Sequence, residues 1–153
     1  MSTEQELQNL VLWLEENEVR ISTYLPDVAV DHPVLSRTKI IDNVILAIKA
    51  GDLNAIELGC DLAVVNKHIP FGRALKSNIF AALKNQHNYI DPSYRGKLAT
   101  LAVKYLNSPY PPREAKPLCR LLKRFERNYT EHVIGNVNSD SMEAKRWLDY
   151  LRS

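Results

Sequence analysis

A chain of 153 residues with 45% hydrophobic content can bury one continuous core, and without a Gly/Ser-rich or low-complexity tract it offers no linker at which to divide it. The start, MSTEQELQNL, is acidic and lacks the basic flank and apolar run of a secretory signal, and no segment reaches the ~18 uninterrupted apolar residues of a membrane span, so 1–153 reads as a single cytoplasmic domain. The net charge of +2 conceals a split: residues 1–61 carry 11 acids against 4 bases, net −7, and residues 62–153 carry 7 against 16, net +9. Asymmetry of this kind raises the expectation of an acidic partner without naming it. The two cysteines, Cys60 and Cys119, fall in apolar helical contexts and form neither a disulfide framework nor a paired redox motif.

In chain order the apolar spacing predicts helix nearly everywhere. Leu7, Leu10, Val11 and Leu14 make one stripe of a helix over 3–17, capped by Ser2 or Thr3, with Trp13 lying off that stripe and covered by the apolar residues of 19–25. After a loop bracketed by Pro26 and Pro33, the stripe Val34, Ile41, Val44, Ile45 and Ile48 ends at Gly51, suited to the left-handed position after a helix, and Asp52 caps the next. That next helix is apolar on two sides, with Leu53, Ile56, Cys60 and Ala63 on one and Leu58, Leu62 and Val65 on the other. Only a narrow polar strip with Glu57 and Asp61 remains, so it is expected between neighbours.

Pro70 opens a fourth helix facing inward through Phe71, Leu75, Ile79, Ala82 and Leu83, and Asp91-Pro92 opens a fifth, Asp91 capping and Pro92 taking the first helical position. Three prolines in Ser108–Pro112 then impose an extended connection. A sixth helix is predicted over 113–127 and a seventh after Asp140, with Asp140 and Glu143 at capping-box spacing and Ala144, Trp147, Leu148 and Leu151 inside. No alternating strand pattern is found, apart from a weak apolar stretch around His132–Val137. Helix starts near 33, 52, 70, 91 and 112 pair at a spacing that falls among two-helix solenoids. The expected fold is therefore all-α, about seven helices in antiparallel pairs forming a short HEAT/ARM-like superhelix. A compact orthogonal bundle is the alternative.

The helix over 113–127 carries the sharpest local signal. With Leu118 as reference at about 100° per residue, Leu121, Leu122, Phe125 and Tyr129 gather on one side and Arg120, Lys123, Arg124 and Arg127 on the other. Arg113 and Lys116 extend that face if the helix starts early enough, which Pro117 permits only in the first turn. A solvated outer face accounts for this as well, but bases at i,i+3 and i,i+4 repel by ~0.2–0.5 kcal/mol per pair, which a partner would relieve. These six residues are the candidate partner-binding site, for an acidic protein first and for nucleic-acid phosphates second. Sequence-specific base reading is disfavoured because no Asn, Gln or Ser accompanies the bases.

No phosphate-cradling glycine loop, nucleophile elbow, zinc-protease helix or dinucleotide fingerprint is present, and His32, His68, His87 and His132 have no metal-ligand spacing. Glu57 and Asp61, one turn apart, read as dipole or ion-pair residues more readily than as a metal pair. The sequence thus predicts a non-enzymatic binding module of adaptor, inhibitor or immunity type, without cofactor or metal, not attached to a membrane, and able to associate with itself through its oppositely charged parts.

Overall fold

The computed structural model describes residues 37–64 and 75–153, and among these it is all helical. Seven α-helices follow one another: α1 (Arg37–Lys49), α2 (Leu53–Val64), α3 (Leu75–Lys84), α4 (Pro92–Asn107), α5 (Ala115–Leu122), α6 (Arg127–Asn136) and α7 (Met142–Arg152), with a 3-10 turn at His87–Tyr89. The predicted helix over 3–17, the loop between Pro26 and Pro33, Trp13 and the Pro70 helix start lie outside the described residues. None of the described helices is long and apolar enough to cross a membrane.

Local chemistry sets most boundaries where the sequence placed them. Gly51 ends α1 at φ +88°, and Asp52 accepts the Ala55 amide at 3.1 Å, so the two helices join through one tight corner. Asp91 caps α4 by accepting from the Ser93 amide at 2.9 Å, with Pro92 at the first helical position; that bond, with a second from the Ser93 hydroxyl, holds the Asp91 carboxyl below its ordinary range. The α7 cap is Ser141, one residue later than expected, whose hydroxyl accepts the Ala144 amide at 3.1 Å.

Two predictions are corrected by the path of the chain. The helix expected over 113–127 stops at Leu122; residues 123–126 form a turn, and Arg127 starts a separate helix. That helix, α6, absorbs His132–Asn136, with Val137 as its extended C-cap, and buries Val133 and Thr130. Leu53, expected inside, is 62% exposed at the first turn of α2.

Each helix packs against the one two places along the chain. α1, α3, α5 and α7 make one row and α2, α4 and α6 a second, with α1 on α2, α2 on α3, α4 on α5 and α6 on α7 joining the rows. Within a row the helices run parallel. The Gln86 amide donates to Lys49 O at 3.1 Å, tying the C-terminal ends of α1 and α3, while Asn107 bonds Asn136 O at 3.2 Å and the Asn138 amide at 2.7 Å, tying those of α4 and α6. Between the rows lies one apolar core, with Ile48, Ile56, Leu58, Ile79, Phe80 and Leu83 fully enclosed. Cys60 and Cys119 are buried in it as free thiols, and burial pushes each up to about 12.

Two glycines separate close packing from open space. A Cβ at Gly59 of α2 would stand 2.6 Å from Ile48 Cδ1, so the missing side chain lets α1 and α2 approach; at Gly96 of α4 no atom of the described residues lies within 4 Å. Alanine at either site gains about 0.5–1 kcal/mol of helix propensity, but at Gly59 overpacking of about 1–3 kcal/mol works against it. In urea unfolding, Gly96→Ala is therefore expected to be more stable than wild type and Gly59→Ala less stable than Gly96→Ala. Equal stabilisation by both would contradict the α1–α2 contact.

Candidate functional site

The candidate surface is built on α5. Its apolar side, Ala115, Leu118, Cys119, Leu121 and Leu122, is buried against α3, α4 and α7, so whatever the helix presents outward comes from the remaining positions. Tight turns extend it at both ends: Lys116 N bonds Arg113 O at 3.4 Å, and Arg124 N and Phe125 N bond Leu121 O and Leu122 O at 2.9 and 3.0 Å. Pro117 sits in the first turn, where no amide donor is required. Arg113, Lys116, Arg120 and Arg124 thereby follow one another at spacings of three, four and four, all exposed and none in an ion pair among the described residues.

The other two predicted cations are engaged elsewhere. Lys123 turns toward the end of α7, where its ammonium donates to Leu151 O at 3.4 Å and to Ser153 O and stands 5.6 Å from the Tyr150 ring. A cation on those carbonyls offsets the negative end of the α7 dipole. Arg127 lies beyond the break, at the start of α6, and pairs with Glu131 of its own helix at 3.3 Å. The structure brings together four of the six predicted residues and diverts two into structural contacts.

The break that separates them is held from a distance. Arg95 of α4 grips both oxygens of Glu126, at 2.6 and 2.8 Å, while its Nε donates to Ile90 O at 2.9 Å and Nη2 to His87 O at 3.4 Å. Its guanidinium also covers the Phe125 ring at 5.2 Å, and Phe125 meets Tyr129 edge-on at 5.9 Å. Phe125 is thus drawn inward and Glu126 takes an extended backbone, φ −59° and ψ 148°, which a continuing helix forbids. The Arg95 guanidinium bonds hold the Glu126 carboxyl below its ordinary value of 4.5. Nothing in the sequence near 123–126 announces this, since the deciding residue lies 31 positions upstream.

Beneath the start of α5 lies a polar cluster that the sequence did not reveal. Lys76 of α3, largely buried, donates to the Tyr105 hydroxyl at 3.4 Å with Glu114 nearby. Burial lowers the lysine and Glu114 raises it; burial, then Glu114, pushes the Tyr105 hydroxyl up. On the second row, Asp61 accepts the Tyr94 hydroxyl, so the acidic strip of α2 is tied to α4. No group of three or more His, Cys, Asp or Glu side chains able to hold a metal occurs among the described residues. Comparison with protein families, with curated proteins and with solved structures finds no match for the chain.

Because the folded value of Glu126 is depressed, its contribution is present above its unfolded value of 4.5 and is lost as pH falls through the folded one. Stability measured from pH 7 downward is expected to decline less steeply in Glu126→Gln than in wild type. Arg95→Met should cost on the order of 2–3 kcal/mol at pH 7, because two carbonyls and a carboxylate lose their donor. An acid profile unchanged by Glu126→Gln would remove this pair as the clamp.

Proposed function

We propose that this chain is a non-enzymatic binding module, a short α-α superhelix in a cytoplasmic setting, that recognises an acidic protein surface through Arg113, Lys116, Arg120 and Arg124. The observation that carries this reading is the run of four exposed cations on one side of α5 with no carboxylate partner among the described residues. Stability of the helix does not account for them. Neighbouring bases one turn apart repel by ~0.2–0.5 kcal/mol per pair, and Arg113 and Lys116 stand at the positive end of the helix dipole, where acids are favoured. A bound carboxylate-rich surface removes both penalties at once.

Alternating rows of parallel helices support the superhelical reading, since they are what stacked helix pairs produce. The row containing α5 then offers its outer side as a continuous edge. Guanidinium groups suit bidentate pairing with carboxylates, and three of the four cations are arginines. Phosphates would satisfy the same groups, and nucleic acid is the competing partner.

Affinity capture with the wild-type chain, compared with Lys116→Glu/Arg120→Glu/Arg124→Glu, tests the assignment. These positions are exposed, so circular dichroism and melting should stay near wild type. Wild type is expected to retain an acidic protein, insensitive to nuclease and released by salt, that the variant fails to retain. Capture lost on nuclease treatment would transfer the surface to nucleic acid, and identical capture by both baits would end the proposal.

A further inference from the structure

The second row of helices carries a groove unrelated to the α5 cations. It is lined by the parallel helices α4 and α6 together with Val64 of α2, and has a volume of about 920 Å³. Its lining is mainly apolar and includes Gly96, Ala99 and Leu101 of α4 and Tyr129 of α6. Lys97, Lys104 and His132 line it as well, and no carboxylate is among its described lining residues. The nearest acid on α6, Glu131, is already paired with Arg127.

Gly96 is the informative residue. It lies within a 16-residue helix, where glycine weakens the helix, yet an added Cβ would meet no atom of the described residues within 4 Å, so packing among the described helices does not require it. What the glycine leaves is helix backbone without a side chain in the groove lining. Such a surface permits a second helix to approach closely, as small residues do wherever helices cross at short distance. The lysines set the complementary chemistry. Lys97 and Lys104 are seven residues apart on α4, about 10.5 Å along its axis, which is also the spacing of two side chains two turns apart on a helix lying alongside.

We propose that this groove receives an amphipathic helix of a partner protein, its apolar stripe on the lining at Gly96 and carboxylates two turns apart on Lys97 and Lys104. A nucleic acid fits less well, since it would set a charged backbone over a mainly apolar lining with two lysines to answer it. The mode is helix-in-groove recognition, with charge fixing the register. It stands apart from the α5 stripe, which lies on the other row of helices.

The probe is a fluorescein-labelled peptide of about 20 residues, leucines on one face and glutamates two turns apart beside it, titrated by fluorescence anisotropy against the full chain. Saturable binding in the roughly micromolar range is expected. Gly96→Phe, which puts a ring into the groove, and Lys97→Glu/Lys104→Glu should each weaken binding about tenfold or more. Replacing the peptide's glutamates by lysines should restore binding to the charge-reversed variant alone. No binding by wild type at roughly 100 μM, or equal binding by wild type and both variants, overturns the proposal. Retention of a labelled single-stranded DNA by wild type, with the peptide excluded, would assign the groove to nucleic acid instead.

Discussion

The guanidinium of Arg95 reaches from the first turn of α4 in three directions: to the carbonyls of His87 and Ile90 behind it, to the Phe125 ring beneath it, and to the Glu126 carboxylate in front. Its side chain is 13% exposed, so its donors work in a partly dry environment where a missing acceptor would be costly. Through these contacts the start of α4 fixes where α5 must end and where α6 can begin. Because α6 starts beside the beginning of α4, the two helices run parallel and the second row of the fold is set. Asn107 closes the same pair at the far end, between Asn136 and Asn138.

That constraint also sorts the cations. On an unbroken helix from 113 to 127, the six bases would share one face. With the break at 123–126 the stripe ends at Arg124, Lys123 swings onto the carbonyls at the end of α7, and Arg127 joins Glu131 on α6. A charge that satisfies a helix end contributes to the fold, while a charge with no acid near it is available to something outside. Four basic residues on α5 and its flanking turns are exposed and in no ion pair among the described residues, and Lys97 and Lys104 line a separate groove.

How much of this the sequence discloses depends on how local each cause is. The corner at Gly51 and Asp52 and the start of α4 at Asp91-Pro92 could be read directly, since positive φ, an acceptor side chain and a fixed φ act within a few residues. The choice of Ser141 over Asp140 was open because either side chain can cap. The break at 123–126 was hidden: Lys-Arg-Phe-Glu contains no glycine or proline, and Phe125 and Tyr129 continue the apolar period across it, so only the contact with Arg95 reveals the turn. The stretch His132–Asn136 was obscured for the opposite reason, since Val133, Ile134 and Gly135 are weak helix formers and the helix is held by packing of α6 on α4 and α7, with Val133 buried. Of the candidate site, the position of the charges was legible and their partners were not. Around the groove, Ser93, Lys97, Thr100 and Lys104 repeat at one-turn intervals without an acid, a signal readable in hindsight, but Asn128 and His132 meet them only through the fold.

The division of the basic residues by the turn at 123–126 is the claim on which the site assignment rests. Secondary ¹³Cα chemical shifts across residues 113–136 test it most directly. The structure predicts helical shifts through Leu122, a reversal at Glu126 where the backbone is extended, and helical shifts again from Arg127. An uninterrupted helical run from 113 to 136 would place Lys123 and Arg127 back on a single basic face and contradict the account.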